Sequence, residues 1–195
     1  MNSAVSVVKP ETVILATEER FVKDEATILV LNEGLSFNSG STLIIKDTNK
    51  KEYFKCKDKS VAFADGKILK DMNSVPVIAI KSDSLIGFKQ EIYNPNKNKK
   101  IGKVTKENIL STNCLVVSFH NKATHSGETL VMKFNSKDKS CNIYYGKSEK
   151  APLVGRFQKK SAFIGKDKYY LEIAPKVDVA FMSTLVIAYD AYKHL

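Results

Sequence analysis

The chain has 195 residues, a length that suits one domain with a sizeable core. Its formal net charge at pH 7 is +10, and among the 31 basic residues only Arg20 and Arg156 are arginine. The arginine side chain can form two parallel hydrogen bonds to a guanine edge or a phosphate, whereas lysine acts as a solvated point charge. The composition therefore argues against nucleic acid as a partner and favours diffuse attraction to another anionic partner, or solubility alone.

The cysteines indicate the compartment. Cys56, Cys114 and Cys141 stand far apart, and none belongs to a C-x-x-C pair. An odd count at wide spacing is not a disulfide framework and is typical of a reducing compartment. The apolar run at residues 5–8 is too short for a secretory signal. We therefore expect a cytoplasmic monomer, and peripheral attachment at the inner face of a membrane stays open.

Most of the chain has the pattern of short strands. Residues 1–25 are interpreted as a leader, and the barrel domain described below is predicted to cover residues 26–195. Turns open on Asp or Asn, whose side chains bond their own backbone two residues on, and Asp47, Asp71 and Asn94 recur at nearly even intervals. This is the spacing of an antiparallel meander. The predicted strands cover residues 26–31, 41–46, 52–57, 67–70, 76–81, 88–93, 101–106, 114–120, 129–134, 141–145, 152–158 and 169–174.

A different pattern closes the chain. Pro175 ends the extended pattern, and residues 177–192 predict a helix that is apolar on every face and therefore needs apolar neighbours on all sides. It is too short to cross a bilayer, which needs ~20 apolar residues. The residues expected to form this structural core are Val179, Phe181, Met182, Leu185 and Val186.

Strand number and terminal helix fit together. About eight strands close into a barrel that side chains can fill, whereas about twelve leave a space in which such a helix would fit. The sequence therefore predicts a mainly β fold, a closed antiparallel barrel of about 12 strands around a central hydrophobic C-terminal helix.

With these elements the chain resembles the LURP-one-related family, whose fold is similar to the tubby C-terminal domain and the phospholipid scramblases. The likeness is carried by LIIKDTNKKEYFKCK (43–57), PVIAI (76–80), FKQEIYNP (88–95), APLVGRF (151–157) and above all KDKYYLEIAPKVDVAFMSTLVIAYD (166–190). The resemblance implies a tubby-like barrel, and tubby-type relatives bind phosphoinositide headgroups through basic residues. Scramblase-type relatives carry a Pro-rich leader, a cysteine cluster and a calcium-binding segment, which this sequence lacks.

Lysines cluster along the second strand of the first hairpin, whose end is the nearest equivalent of the place where the resemblance puts the basic residues of tubby-type relatives, and two more lie in the turn before it. Side chains two apart on a strand share a face, so the strand lysines converge while Phe54 and Cys56 face inward. Near an anionic leaflet each would contribute ~1 kcal/mol, enough together for weak, salt-sensitive binding. The alternative is an exposed strand face whose charges discourage edge pairing. The candidate ligand-binding residues are Lys50, Lys51, Lys55, Lys57 and Lys59.

Two further groups are weaker candidates. A second basic run follows Asn94 but contains no aromatic residue on which bases could stack, so we interpret it as a solvated loop. It consists of Lys97, Lys99, Lys100, Lys103 and Lys106. A zinc set or a nucleophilic pair would have to come from Cys114, His120, His125 and Cys141. The two histidines have a permissible spacing for zinc, but neither cysteine has a second cysteine close by, and nothing in the sequence places a cysteine beside a histidine. We expect no catalytic residue, no metal and no cofactor.

The sequence thus predicts a non-enzymatic binding module. Its lysine-rich barrel face would attract anionic membrane lipids, phosphoinositides above all, or an acidic protein partner. Two alternatives stay open. The first is a scramblase-like, membrane-associated protein in which residues 177–192 insert into the bilayer. The second is an intracellular scaffold for protein–protein interaction.

Overall fold

The computed structural model of the protein describes residues 6–32, 42–60, 63–83, 88–96, 98–106, 113–161 and 167–193, without the side chains of residues 57–60, 63–65 and 83. Across these residues a short 3-10 helix, Glu19–Phe21, precedes twelve strands and one α-helix. The strands are β1 (Thr27–Asn32), β2 (Thr42–Asp47), β3 (Glu52–Ser60), β4 (Phe63–Asp71), β5 (Pro76–Asp83), β6 (Lys89–Tyr93), β7 (Lys100–Lys106), β8 (Cys114–Asn121), β9 (Ser126–Asn135), β10 (Ser140–Tyr145), β11 (Leu153–Lys160) and β12 (Lys168–Ile173), and the helix is α1 (Val179–Lys193).

The strands form a closed antiparallel barrel. Each strand pairs with its neighbours along the chain, and β1 closes the ring by pairing with β12. That last ladder runs from Thr27 opposite Ile173 to Asn32 opposite Lys168. Closure gives every strand a partner on both sides, which removes the edges that an open sheet would expose. The predicted barrel of about twelve strands around a C-terminal helix is confirmed.

Some predicted boundaries were wrong. The strand predicted over residues 67–70 begins at Phe63, and the one predicted over residues 129–134 begins at Ser126. Gly127, near the start of β9, pairs with His120 in the ladder between β8 and β9. The turn between these strands is tight because Asn121 opens it, with its Oδ1 accepting from the Ala123 backbone N–H at 3.1 Å.

Helix α1 lies in the lumen of the barrel. Its side chains contact the inner faces of the strands on every side, and the five apolar residues that the sequence singles out are each at most 1% exposed: Val179, Phe181, Met182, Leu185 and Val186. The hydroxyls of Ser183 and Thr184 donate to carbonyl groups one turn earlier, at 2.7 and 2.9 Å. These bonds satisfy two polar groups inside an apolar lumen.

The length of α1 also bears on membrane insertion. Its 15 residues span about 22 Å at the rise of an α-helix. Within the described ranges, no helix combines the length and the apolar content that a membrane span requires.

The N-terminal leader packs against one end of the barrel. Ile14, Ala16 and Phe21 are buried in the same core as α1. Asn121 holds this segment, because its Oδ1 accepts from the Leu15 N–H at 3.1 Å and its Nδ2 donates to the Val13 carbonyl at 2.9 Å. We call this end, which also holds the N-terminus of α1, the leader end. The turns that open at Asp47, Asp71 and Asn94 lie at the same end, since strands alternate in direction.

A single buried carboxylate joins the leader to α1. Oδ2 of Asp178 accepts from the Ala16 N–H at 3.2 Å and from the backbone and hydroxyl of Thr17, both at 2.7 Å. Oδ1 accepts from the N–H groups of Ala180 and Phe181, both at 3.0 Å, and so caps the helix. Burial raises the pKa of Asp178, and these hydrogen bonds oppose the rise.

Because of these contacts α1 begins at Val179, two residues later than predicted. Val177 and Asp178 instead form isolated bridges with Ile14 and Val22 of the leader. At the opposite end of the barrel the helix is packed by aromatic rings. Tyr189 lies between Phe134 and Phe157, with ring centroids 4.6 and 4.9 Å away.

Replacing Gly155 by alanine is expected to lower the free energy of unfolding by about 1–3 kcal/mol, the usual cost of overpacking a core. A Cβ at this position of β11 would overlap Met182 Cε, so the end of this fully buried side chain would have to shift within a packed core. Urea denaturation measures the change. Gly127→Ala is the matched control, since nothing lies within 4 Å of a Cβ there. Equal effects of the two substitutions would contradict this close approach of helix and wall.

Candidate functional site: lysines at the leader end

The turn between β2 and β3 carries Lys50 and Lys51. Asp47 builds this turn, because its Oδ1 accepts from the N–H groups of Asn49 and Lys51 at 2.8 and 2.9 Å. Lys50 has a φ of 67°, a left-handed conformation that is costly for a residue with a Cβ. Both lysines are exposed. The turn therefore presents two ammonium groups from a fixed backbone at the leader end.

On the adjacent wall Lys55 of β3 lies directly opposite Lys70 of β4. Phe54 and Cys56, on either side of Lys55, are 0% and 5% exposed, so the lysine takes the outward face of the alternation. Directly opposed residues have Cβ atoms about 4.5–5.5 Å apart, and like charges in such a pair destabilise a sheet. An anion bound between the two ammonium groups would remove this cost.

These four residues, Lys50, Lys51, Lys55 and Lys70, are named the lysine group. Within the part of the chain that the structure describes, no carboxylate forms an ion pair with any of them. Two nearby carboxylates are occupied elsewhere: Glu52 pairs with Lys46 at 2.9 Å, and Asp71 pairs with Arg20 at 2.8 Å. The charge of the lysine group is therefore uncompensated by these neighbours.

Tyr53 connects the turn to the wall. Lys51 Nζ lies 5.7 Å from the centroid of the Tyr53 ring, within reach of a cation–π interaction. Burial raises the pKa of Tyr53, and the charge of Asp47 adds to the rise. The Lys51 ammonium group thus lies near the Tyr53 ring at the start of β3.

Of the five predicted lysines, the structure places Lys50 and Lys51 in the turn and Lys55 on the strand that follows, about 13 Å of extended chain beyond Lys51. Lys57 and Lys59 follow on β3, but their side chains lie outside the described residues. Lys70 was missed, although the sequence placed it at the end of a predicted strand. The missing information was the register between β3 and β4, which the two sequence patterns do not contain.

The interpretation of the second basic run as a loop was wrong for Lys100, Lys103 and Lys106, whereas the strand predicted over residues 101–106 is confirmed. These residues lie on β7, because Ile101 and Val104 between them are buried and hold the segment in the barrel wall. Lys99 is exposed in the preceding turn, and Lys97 lies outside the described residues.

Glu91 of β6 offsets part of this second set of charges. Lys81 and Lys103 lie opposite Glu91 on the two neighbouring strands, and Lys89 and Lys100 each approach its Oε1 to 3.2 Å. The Tyr93 hydroxyl donates to the same carboxylate. That hydrogen bond, together with those from the lysines, lowers the pKa of Glu91 to about 2. A paired carboxylate at the centre makes this set a weaker anion site than the lysine group.

The candidate cysteines and histidines do not form one cluster. Cys114 begins β8 and His120 lies near its end, so about 20 Å of extended strand separates them. Cys141 is fully buried in β10, and His125 is exposed in the turn after β8. Among the residues with described side chains, no three of His, Cys, Asp or Glu lie close enough to hold a metal ion.

Comparisons with known proteins agree with this fold. A family model described as LURP-one-related matches residues 27–190, from the start of β1 into α1. The proteins LURP-one-related 15 and LURP-one-related 10 of Arabidopsis thaliana are each 24% identical to the chain, over 171 and 161 residues. These matches cover 83% and 75% of this chain and 77% and 79% of the relatives.

A solved structure is also similar. The X-ray structure of a protein from Arabidopsis thaliana superposes with a TM-score of 0.68 at 20% sequence identity. The superposition covers 92% of this chain and 98% of that chain, so the two share the whole fold. The names of these proteins state neither a ligand nor a reaction.

Proposed function

The chain belongs to the LURP-one-related family, and on that premise we propose that it is a binding module, not an enzyme, whose lysine group attracts anionic lipid headgroups. Phosphoinositides are the favoured class, because their clustered phosphates would fit between ammonium groups that face each other. The observation that carries the proposal is the opposed pair Lys55 and Lys70, without a carboxylate partner among the described residues, beside the two turn lysines.

The strength of such binding follows from the number of charges. Each lysine near an anionic leaflet contributes ~1 kcal/mol, so the lysine group would supply about 4 kcal/mol before any specific hydrogen bond forms. Lysine carries a solvated point charge and does not form the paired hydrogen bonds of a planar guanidinium group. The attraction is therefore mainly electrostatic, and it weakens steeply as the salt concentration rises. Weak and reversible attachment at the cytoplasmic face of a membrane, where anionic lipids are concentrated, is the location that fits this proposal.

Two features support binding over the alternative functions. All three cysteines are buried, and burial raises the pKa of Cys141 well above its ordinary value, which disfavours a thiolate nucleophile. The apolar side chains of α1 fill the lumen, so their insertion into a bilayer would require the barrel to open. A peripheral mode of membrane contact needs neither a reactive thiol nor an exposed helix.

Neutralising the central pair is the direct test. The double variant Lys55→Gln/Lys70→Gln is expected to bind phosphatidylcholine vesicles containing phosphatidylinositol bisphosphate about 30-fold more weakly than the wild type, because two charges are lost at ~1 kcal/mol each. Vesicle sedimentation over a salt series measures this. The same variant should be more stable to urea by about 0.2–1 kcal/mol, since like charges no longer face each other.

The matched control removes the same net charge from another part of the barrel surface. Lys137 and Lys150 are exposed, in the turn after β9 and the loop after β10. Lys137→Gln/Lys150→Gln should bind the vesicles like the wild type. Equal losses in both double variants would show that only net charge matters and would contradict a site. If the wild type sediments equally with neutral vesicles and with phosphoinositide-containing vesicles at low salt, the lipid proposal is excluded.

A further inference from the structure

An exposed apolar side chain borders the lysine group. Within the described ranges the exposed large hydrophobic residues are Val8, Ile28 and Val75, at 53%, 42% and 49%. Val75 lies in the turn between β4 and β5. Lys70 is separated from that turn by Asp71 alone, and Pro76, which opens β5, is its register partner across the ladder. Val75 therefore lies at the edge of the surface that carries the uncompensated charge.

The turn holds Val75 in a fixed position. Asp71 Oδ1 accepts from the Val75 N–H at 2.9 Å, and the Asp71 N–H donates to the Val75 carbonyl at 2.9 Å. A third bond runs from the Ser74 N–H to the Asp71 carbonyl at 3.0 Å. With its backbone fixed on both sides, the valine stays half exposed instead of folding back onto the wall.

The leader supplies an ion-pair partner for the carboxylate of this turn. Arg20 Nη1 donates to Asp71 Oδ2 at 2.8 Å, and the same guanidinium bonds Glu18 at 2.7 Å. Arg20 thus shares its positive charge between Asp71 and Glu18 and holds the Asp71 carboxylate, which is nearly buried, at the base of the turn. The turn therefore presents Val75 at its tip, next to the strand that carries Lys70.

We propose that Val75 enters the apolar edge of an anionic bilayer while the lysine group holds the headgroups above it. The inference rests on the proposed function, because the lysines must engage the membrane for the turn to reach the layer beneath. Charge complementarity selects this partner: a bilayer presents anionic headgroups directly over apolar chains. A soluble inositol phosphate would engage the lysines but leave Val75 in water.

A tryptophan reporter tests the inference directly. The chain contains no tryptophan, so Val75→Trp introduces a single fluorophore. On addition of phosphoinositide-containing vesicles its emission is expected to shift to the blue and to be quenched by lipids brominated on their acyl chains. Val8→Trp is the matched control: Val8 is similarly exposed but lies beside Leu153 of β11, away from the lysine group, and its reporter should stay unchanged.

A second pair of variants measures the contribution of the side chain. Val75→Ser is expected to weaken vesicle binding about five-fold through loss of a partly buried valine, whereas Val8→Ser should not change it. Calorimetry with soluble inositol trisphosphate should give the same affinity for Val75→Ser as for the wild type. Thermal melts of the four variants should match the wild type, which separates lost binding from lost folding.

The outcomes separate this inference from the proposed function. If the lysine variant loses vesicle binding but vesicles leave the emission of Val75→Trp unchanged, the insertion of this turn is wrong and the headgroup site stands. Insertion is also wrong if vesicles shift the emission of Val8→Trp as much as that of Val75→Trp. If Lys55→Gln/Lys70→Gln binds vesicles like the wild type, the headgroup site itself is wrong, and this inference falls with it.

Discussion

Ending the chain after Pro175 is expected to abolish cooperative unfolding. The truncation removes α1, and its large side chains, each worth about 1.5–3 kcal/mol when fully buried, together supply on the order of 10–20 kcal/mol of gross stabilisation. A domain of this size has a net stability of only about 5–15 kcal/mol. Side chains from the wall cannot fill the lumen of a twelve-stranded barrel by themselves. Thermal and urea melts followed by circular dichroism would show no sharp transition.

A second truncation provides the control for this experiment. A chain that ends after Lys193 keeps the whole of α1 and is expected to melt like the full-length protein. The two truncations differ in whether the lumen is filled. A sharp melt of the shorter chain would show that the wall folds without its central helix, and a core that depends on α1 would be excluded.

The architecture was accessible from sequence because it depends on local periodicity. Turns that open at Asp47, Asp71 and Asn94 mark hairpins without knowledge of any distant residue. Residues 179–189 carry no charge, and a helix apolar on every face has few positions in a folded protein other than a lumen. Strand number and the terminal helix then limit the fold to a filled barrel.

The residues of the site could be predicted only in part from the sequence, because strand register decides which residues lie next to each other. Alternation along β3 predicts that Lys55 faces outward, but its opposition to Lys70 follows from which residues of β3 and β4 pair. A shift of one residue would place Lys70 on the inner face. The ion pair that holds the Asp71 turn also depends on Arg20, 51 positions earlier in the chain. The residue pattern within a single segment does not show which residues of two distant segments pair.

The role of the leader was missed for a similar reason. Its short β-branched run at residues 12–16 resembles an ordinary tail in composition. The residues that hold it are Asn121 and Asp178, which are 106 and more than 160 positions away in the chain. A polar residue that begins a turn, such as Asn121, and an aspartate just before an apolar helix both have sufficient local explanations. Their second roles become visible only when the barrel is closed.

Replacing Asp178 by alanine is expected to lower the free energy of unfolding by about 4 kcal/mol, because buried donors left without an acceptor cost about 1–3 kcal/mol each and are not fully additive. The donors that lose their partner are the backbone N–H groups of Ala16, Thr17, Ala180 and Phe181 and the Thr17 hydroxyl. Urea denaturation measures the change. Asp138→Ala, at an exposed turn after β9, is the control and should change the stability by about 0.5 kcal/mol or less.

Asparagine at the same position separates the two roles of the carboxylate. Its oxygen can still accept from Ala180 and Phe181, but its amide NH2 would face the donors of Ala16 and Thr17. Asp178→Asn should therefore keep a folded barrel with a loosened leader. Trypsin should then cleave the variant after Arg20 faster than the wild type, and unchanged resistance would contradict the anchoring role of Asp178.

Loosening the leader should also change the binding of the protein to membranes. Arg20 forms an ion pair with Asp71 at the base of the Val75 turn. When the leader detaches, Asp71 loses this ion pair, so the carboxylate that fixes the Val75 backbone is held less firmly and the turn inserts less well. Asp178→Asn should therefore weaken vesicle binding although Asp178 itself is buried at the start of α1. Retained binding with a cleaved leader would mean that the lysine group acts independently of Arg20.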